Sequence, residues 1–235
     1  MTRRSYDQFC GLAHALDIVG ERWTLLIVRE LMSGPKRYSD LAAALPGIGT
    51  SLLATRVKQL EAEGVAQRRL LDPPVASVVY ELTSRGHELA RAMVPLALWG
   101  TRHFMGSPRS PEESFRAEWA LVFLADRLDG TPLPNPDAEY EFRIDDSVAR
   151  LRVQQGRVDV VAGTSDTAAD AILRADSATA AALAGGRTTI VDALAAGHLR
   201  AEGAPEALAE LLELLSSQLL SLAAERWPVY TAAWR

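Results

Sequence analysis

The stretch that decides the fold is RYSDLAAALPGIGTSLLATRVKQLEAEGV, residues 37–65. It predicts two helices joined by a tight turn, because Gly47 and Gly49 permit a sharp change of chain direction. Gly64 is placed where a glycine ends a helix at the C′ position. The same pattern occurs in any helical hairpin of a bundle, so it does not establish a function by itself.

The second of these helices has a clear apolar seam. Leu53, Val57 and Leu60 recur at i, i+4 and i+7 and are expected to face a core. Four polar or basic side chains then point away from that core: Ser51, Thr55, Lys58 and Gln59. An outward face of this kind enters the DNA major groove in helix-turn-helix proteins, and a helix N-terminus also favours phosphate.

A basic hairpin follows directly. Residues 65–71 and 78–82 are β-branched or apolar and predict two strands, and the turn-rich loop 72–77 separates them. Thr83 can act as an N-cap for a further helix that extends to about Phe104. Helix, turn, helix and hairpin in this order predict a winged helix-turn-helix.

Several motifs in this half occur in the order found in a known family: ALDIVGERWTLLIVREL at 15–31, GPKRYSDL at 34–41, LPGI at 45–48, YELT at 80–83 and LWG at 98–100. The chain resembles the HxlR-type transcriptional regulators, relatives of the MarR group. The resemblance implies a homodimer that binds a palindromic operator in double-stranded DNA. It also implies that the first helix and the helix after the wing build the subunit interface. The residues expected to contact DNA are Arg37, Ser39, Thr50, Ser51, Thr55, Arg56, Lys58, Gln59, Arg68 and Arg69.

The chain departs from the family pattern at three points. Many members carry a serine at Gly49 and a basic residue at Ser51, and the expected wing tip, 72–77, holds no Lys or Arg. The departures predict a modest affinity for phosphate and bring the minor-groove contact of the wing into question more than the major-groove contact of the helix.

Length and charge predict two domains. The chain has 235 residues, which exceeds one winged-helix unit. Residues 1–105 hold 13 Lys and Arg against 10 Asp and Glu, net +3, whereas residues 106–235 hold 12 against 20, net −8. We expect a DNA-binding and dimerisation domain at 1–105, a linker at 106–111 and a second domain at 112–235. Without a long apolar run or a signal-peptide pattern, we expect a cytoplasmic protein that does not bind a membrane.

The second half reads as an α+β domain. A helix is predicted at 112–129, and strands are predicted at 140–144, 149–153, 157–161, 171–175 and 199–203. Further helices are predicted at 177–184, where Asp176 supplies the cap, at 190–195, and from Pro205 to about Ala224. Two of these helices therefore lie between the fourth and fifth predicted strands, and the last helix follows the fifth strand.

AILRADSAT at 171–179, ALAG at 182–185, DALAAGHLRAEG at 192–203 and PEAL at 205–208 resemble the sterol carrier protein fold. In that family a curved sheet and its covering helices enclose an apolar cavity for a lipid-like molecule. The resemblance implies a small hydrophobic ligand, with the cavity lined by Trp119, Val122, Phe123, Phe142, Leu183, Ile190, Leu194 and Leu199. A filled core without a cavity would show the same pattern, so both readings stay open.

Catalytic and metal-binding patterns are weak. Cys10 and His14 stand at i and i+4, but this pair supplies two ligands where a structural zinc needs four. No glycine-rich phosphate loop follows a strand, so we expect no metal, no cofactor and no enzyme activity. In the resembled family a cysteine near Cys10 can act as a redox or electrophile sensor. The residues near Cys10 include few cations that could lower the pKa of its thiol, however, which favours a buried, inert thiol.

The patterns together predict a homodimeric winged-helix transcription factor, a repressor, with a carboxy-terminal domain that senses a hydrophobic ligand. The alternative is a lipid carrier whose winged helix serves only dimerisation. An enzyme is a third possibility.

Overall fold

The computed structural model describes residues 5–72, 76–128, 133, 135, 137–164 and 167–224. The chain has an α+β fold in which a winged helix-turn-helix precedes a domain built on a mixed sheet. Two compact units are present, Met1–Val94 and Pro95–Arg235, and they divide within one long helix. The sheet of each unit is separate from that of the other.

The first unit contains the elements predicted for a winged helix-turn-helix. They are α1 Gly11–Val19, α2 Thr24–Met32, α3 Tyr38–Ala44, α4 Thr50–Ala62, β1 Ala66–Leu70, β2 Val78–Leu82 and the first part of α5 Ser84–Phe104. The wing is the antiparallel pair β1–β2. Residues 73–75 of its predicted loop lie outside the described part of the chain.

The apolar seam of α4 is buried as its spacing predicts. Leu53, Val57 and Leu60 are almost fully removed from solvent, and burying side chains of this size stabilises a fold by about 1.5–3 kcal/mol each. The end of α4 is also as predicted. Gly64 has φ +66°, and the Gly64 and Val65 amides donate to the Glu61 and Leu60 carbonyls at 3.0 and 2.9 Å, which is a Schellman motif.

Helix α5 begins with the predicted cap, since the Thr83 hydroxyl accepts the Gly86 amide at 3.2 Å. Pro95 lies inside the helix. The inward side chains Met93 and Leu98 are buried, but Leu96 and Trp99 are each 53% exposed. The helix therefore carries an apolar surface that no described part of this chain covers.

Among its described residues, the second unit contains nine further elements apart from the end of α5. They are α6 Ala117–Leu128, β3 Asp137–Ile144, β4 Ser147–Gln154, β5 Arg157–Ala162, β6 Ala171–Ala175, α7 Ser177–Ala184, α8 Ile190–Ala195, β7 Leu199–Gly203 and α9 Pro205–Ala224. The predicted strands and later helices are confirmed. The predicted start of α6 at residue 112 is wrong: residues 111–113 form a turn, and the Ser147 hydroxyl accepts the Ala117 amide at 2.8 Å where the helix begins.

The sheet of this unit has the strand order β5-β4-β3-β6-β7 and is antiparallel except for the pair β3–β6. Alternation along β3 directs Tyr140 and Phe142 to one face and Glu141 and Arg143 to the other. Helix α6 packs on β4 and β5, whereas α8 and α9 pack on β7. Helices α6 and α9 also meet, through Arg127 and Gln218.

The opposite face of the sheet is charged. Arg143 pairs with Glu141 at 2.6 Å, and Arg174 pairs with Glu202 at 3.1 Å. Arg150 pairs with Glu139 on the neighbouring strand. The Arg150–Glu139 and Arg174–Glu202 pairs join neighbouring strands and stabilise their pairing, whereas the Arg143–Glu141 pair lies within β3.

Candidate functional site

The outward face of α4 is the first candidate site. Ser51, Thr55 and Lys58 are exposed along this face. The Thr55 hydroxyl donates to the Ser51 carbonyl at 2.8 Å, so its oxygen remains able to accept a bond from a ligand. This arrangement gives one helix face short hydroxyl groups and one mobile positive charge, the groups that contact base edges and phosphates.

The start of α4 is a second feature of this site. Gly49 is the N-cap residue and supplies no side-chain cap, so the first amides of the helix are available to an external acceptor. Thr50 is exposed, and its carbonyl accepts the Tyr38 hydroxyl at 2.6 Å. The Tyr38 bond joins α3 to the start of α4 and fixes the orientation of these amides. A phosphate is the ordinary ligand of such a helix end.

Arg56 and Gln59 have partners within the protein. The Arg56 guanidinium donates to Glu21 and to Gln59, both at 2.8 Å, and the Arg56 side chain is only 14% exposed. From the sequence, we expect Gln59 on the outward face and both residues among the DNA contacts. The structure shows that Arg56 would have to leave its ion pair with Glu21 to reach a phosphate.

The remaining predicted contact residues lie at the start of α3 and on the wing. Arg37 and Ser39 are exposed, and the Arg37 Nε donates to the Ser77 hydroxyl at 3.1 Å. On β1, Arg68 is exposed, whereas Arg69 pairs with Glu81 at 2.8 Å. Within the described part of the wing, Arg68 therefore makes no ion pair, whereas the charge of Arg69 is partly neutralised by Glu81.

The pKa of Glu81 reflects this pairing. Partial burial acts to raise the pKa, but hydrogen bonds from Gln67 and Arg69 and the charge of Arg69 outweigh it and lower the value. Glu81 therefore stays ionised beside the wing and holds Arg69 along the hairpin.

The residues predicted to line a ligand cavity all lie in the second unit. Val122, Phe142, Ile190 and Leu199 are buried there. The other four are half-buried: Trp119, Phe123, Leu183 and Leu194. They contribute to the packing between the sheet and the helices of this unit.

The structure also shows a small cavity elsewhere on that apolar side of the sheet. Its volume is about 10 Å³, and its lining is Leu133, Asn135, Tyr140, Val153, Glu210 and Leu214. This is room for about one water molecule. None of the eight predicted lining residues takes part in it, although Phe142 is two residues from Tyr140 on the same strand face.

Tyr140 and Glu210 are the polar groups that sequence reasoning missed. Tyr140 is 3% exposed, and it lines the cavity together with Glu210 of α9. Burial first, and then the charges of Glu210 and Asp170, raise the pKa of Tyr140 to about 12. The alternation of residues 140–144 could have indicated Tyr140, because it is in phase with Phe142. Its partner lies 70 residues further along and has no such signal.

The expectation of a buried Cys10 thiol is wrong. Cys10 is exposed at the N-cap of α1. Hydrogen bonds from the Ala13 amide and then the Leu12 amide lower the pKa of this thiol. Our expectation rests only on charged neighbours, but the amides at the start of a helix also stabilise a thiolate.

The described residues contain neither a candidate metal cluster nor a helix suited to span a membrane. No group of three or more His, Cys, Asp or Glu side chains in this part of the chain could hold a metal ion. Within the same residues, no helix has the length and apolar character needed to cross a membrane.

Comparison with known families gives two matches. Residues 18–108 match the HxlR-like helix-turn-helix family. Residues 113–219 match the family described as alkyl sulfatase C-terminal. The second match coincides with the sheet domain and does not confirm the sterol carrier resemblance.

Individual relatives match the first half of the chain. The uncharacterized HTH-type transcriptional regulator YvaP of Bacillus subtilis is 38% identical over 87 residues, which is 37% of this chain and 81% of the relative. The uncharacterized HTH-type regulator sll1512 of Synechocystis is 33% identical over 45% of this chain and 73% of its own length. The HTH-type regulator YodB of Bacillus subtilis is 34% identical over 36% of this chain and 76% of its own length.

Among solved structures, the reduced form of YodB from Bacillus subtilis aligns with 41% of this chain and 96% of its own, at 31% identity and a TM-score of 0.37. The sequence matches to YvaP, sll1512 and YodB each cover more than two thirds of a helix-turn-helix regulator at 30% identity or more. Through its first half, which holds α4 and the wing, the chain belongs to the HxlR-like helix-turn-helix family.

Proposed function

We propose that this protein is a homodimeric transcriptional repressor that binds an operator through α4 and senses a small hydrophobic molecule through its second half. The observation that carries the proposal is the exposed face of α4, where Ser51, Thr55 and Lys58 lie beside an uncapped helix start. Membership of a family of transcriptional regulators supports it. Such a protein acts in the cytoplasm, where its operator is.

The proposed contacts divide by chemistry. Ser51 and Thr55 have short side chains that suit hydrogen bonds to base edges in the major groove, whereas Lys58 suits a phosphate. Thr50 and the first amides of α4 suit a second phosphate. Arg37, Ser39 and Arg68 complete the interface as phosphate contacts, because each is exposed.

Dimerisation is supported by exposed apolar side chains on two helices. On α1, Leu12 is 68% exposed and Leu16 is 38% exposed. On α5, Leu96 and Trp99 are exposed. Large apolar side chains aligned on a helix are typical of an interface, and a two-fold interface uses the same patch of both subunits. A dimer with two copies of α4 accounts for a palindromic operator.

Ligand sensing is supported by the mixed sheet and the helices that cover its apolar face. We propose that this domain works like a sterol carrier protein, with the eight apolar residues named above forming the wall of the ligand site. The water-sized cavity would then be the part of the site that stays open without a ligand.

Repression is the output that we propose for DNA binding, because a dimer bound to its operator can exclude polymerase without further contacts.

A hydrogen-bonded link supports coupling between sensing and dimerisation. Arg187, in the turn between α7 and α8, donates to the Thr101 and Met105 carbonyls at 3.1 and 2.7 Å, at the end of α5. Gly185 leaves room for this arrangement, since a Cβ there would lie 2.5 Å from the guanidinium. We propose that a ligand which moves α7 and α8 changes the end of α5 through Arg187. By linkage, operator DNA would change ligand affinity by the same factor.

The test is selection of a binding site from random DNA by the full chain, followed by anisotropy titrations of the selected duplex. We expect Ser51→Ala with Thr55→Ala to relax base preference, because these side chains contact bases. Adding Lys58→Ala should lower affinity for every sequence. Arg200→Ala, which removes one exposed charge from the second unit, is the control and should bind as the unaltered chain does. Unchanged affinity and preference in the triple variant would contradict the proposal.

A further inference from the structure

The small cavity has one polar end and one apolar wall. Tyr140 and Glu210 form the polar end, and Val153 and Leu214 lie on the apolar wall. Glu210 supplies the negative charge at this end, and an ionised carboxylate has no hydrogen to donate to an incoming ligand. The Glu210 carboxylate keeps further acceptor sites, because an ionised carboxylate accepts about four hydrogen bonds.

The electrostatic environment of the cavity is negative. Glu210 and Asp170 both act on the Tyr140 phenol as negative charges, and the cavity lining named above includes no basic side chain. Asp170 is held in place, because its carboxylate accepts the Glu139 amide at 2.8 Å. A second negative charge entering this cavity would be repelled by Glu210, and it would find no donor in the lining except the Asn135 amide.

We propose that this cavity receives the head group of an amphiphile that donates hydrogen bonds, an alcohol or a protonated amine, and that it rejects carboxylates. The inference rests on the proposed ligand-sensing function and narrows its ligand class. A cavity of about 10 Å³ fits a single hydroxyl or ammonium group. The apolar tail then lies along Val153 and Leu214, where α9 packs on the sheet, and it displaces Leu214 as it enters.

The experiment uses three molecules with the same twelve-carbon tail: dodecan-1-ol, dodecylamine and dodecanoate. Each is titrated into the full chain by calorimetry below its micelle concentration, and melting temperature is recorded in parallel. We expect the amine and the alcohol to bind and to raise the melting temperature. Dodecanoate should bind at least about tenfold more weakly than either. Glu210 repels its carboxylate, whereas the protonated amine donates a charge-assisted hydrogen bond to Glu210.

Variants locate the head group. Glu210→Gln keeps the shape of the side chain and removes its charge, so amine affinity should fall about tenfold while the alcohol changes little. Glu213→Gln removes the same charge from the exposed side of the same helix and should change nothing. Tyr140→Phe keeps the ring and leaves the Glu210 carboxylate in the cavity, so alcohol and amine should still bind. Unaltered melting curves of the unliganded variants show that each one folds.

The results distinguish a wrong head-group site from a wrong ligand-sensing function. If dodecanoate binds as tightly as the amine, or if Glu210→Gln and Glu213→Gln weaken amine binding equally, the head-group site is wrong but ligand sensing stands. If none of the three binds and no melting temperature shifts, both the head-group site and the sensing function are wrong for this class of ligand.

Discussion

Lys58 and Arg56 lie two residues apart on α4 and differ in their surroundings. Lys58 is exposed, whereas Arg56 is held by Glu21, a residue of the segment before α2. The helical spacing of Leu53 and Val57 was enough to predict which side of α4 faces the core. It could not predict the pairing of Arg56, because Glu21 lies 35 residues away and only the folded chain brings them together.

The first prediction follows from this difference. Lys58→Ala should weaken DNA binding for all sequences and reduce the slope of log affinity against log salt by about 1, since one phosphate contact is lost. Arg56→Ala should leave that slope nearly unchanged and lower the free energy of unfolding by at most about 1 kcal/mol, as for other partly exposed ion pairs. Anisotropy titrations at several salt concentrations and urea unfolding measure the two effects. Equal slopes for the two variants would show that Arg56 leaves Glu21 to contact DNA.

The second prediction concerns Cys10. Helix amides lower the pKa of this exposed thiol. The thiolate should therefore form at a lower pH than in a thiol with the ordinary pKa of 9.0. Alkylation by iodoacetamide, followed by mass spectrometry against pH, should show a midpoint below that of the same cysteine in the urea-unfolded chain. Identical midpoints for the folded and unfolded chains would contradict the prediction, and Cys10→Ser is the control for labelling elsewhere.

At the scale of elements, local signals predicted most boundaries correctly. Asp176 caps α7 as predicted, with its carboxylate accepting the Thr179 amide at 2.6 Å. Helix α6 is the counterexample, since its acidic and apolar residues predicted a start at 112. The bond between Ser147 and the Ala117 amide joins α6 to a strand 30 residues later, and no local pattern reveals it.

The third prediction concerns this cap. Asp176→Ala should lower the free energy of unfolding by about 1 kcal/mol, whereas Asp176→Asn, which keeps an accepting oxygen, should cost less. Hydrogen bonds from the Thr179 side chain and amide lower the pKa of Asp176 in the folded protein. The charged cap therefore contributes stability above the unfolded pKa and loses it as pH falls through the folded value. Urea unfolding at neutral and acid pH measures the free energy of unfolding of the unaltered chain and of Asp176→Asn. The difference between the two should become smaller in acid. A difference that does not change with pH would contradict the charge contribution.

At the scale of the whole molecule, the sequence predicted an α+β chain with a winged helix-turn-helix first, and the structure confirms it. The two compact units divide between Val94 and Pro95, within α5. The domain limits that we expect, with a linker at 106–111, remain a prediction. The polar end of the small cavity was not predictable, because Tyr140 of β3 and Glu210 of α9 are 70 residues apart in sequence and line the same cavity only in the folded chain.

The fourth prediction concerns assembly. Leu96→Glu with Trp99→Ala should convert the dimer to a monomer, because these side chains are exposed in the single chain and would be buried between two copies. The fold should survive, since neither residue is in the core. Sedimentation velocity measures the mass, and circular dichroism checks the fold. Val191→Glu, which changes an exposed apolar residue of α8, is the matched control and should stay dimeric. Monomeric behaviour of the unaltered chain would contradict the prediction.

In the proposed complex, two copies of α4 enter successive major grooves of an operator. Hydroxyl-radical footprinting of the selected duplex with the full chain measures this arrangement. We expect two protected segments related by two-fold symmetry, with centres about 34 Å apart, one helical turn of DNA, and loss of both in the Ser51→Ala, Thr55→Ala, Lys58→Ala variant. Uniform protection without symmetry, or a footprint that the triple variant reproduces, would contradict it.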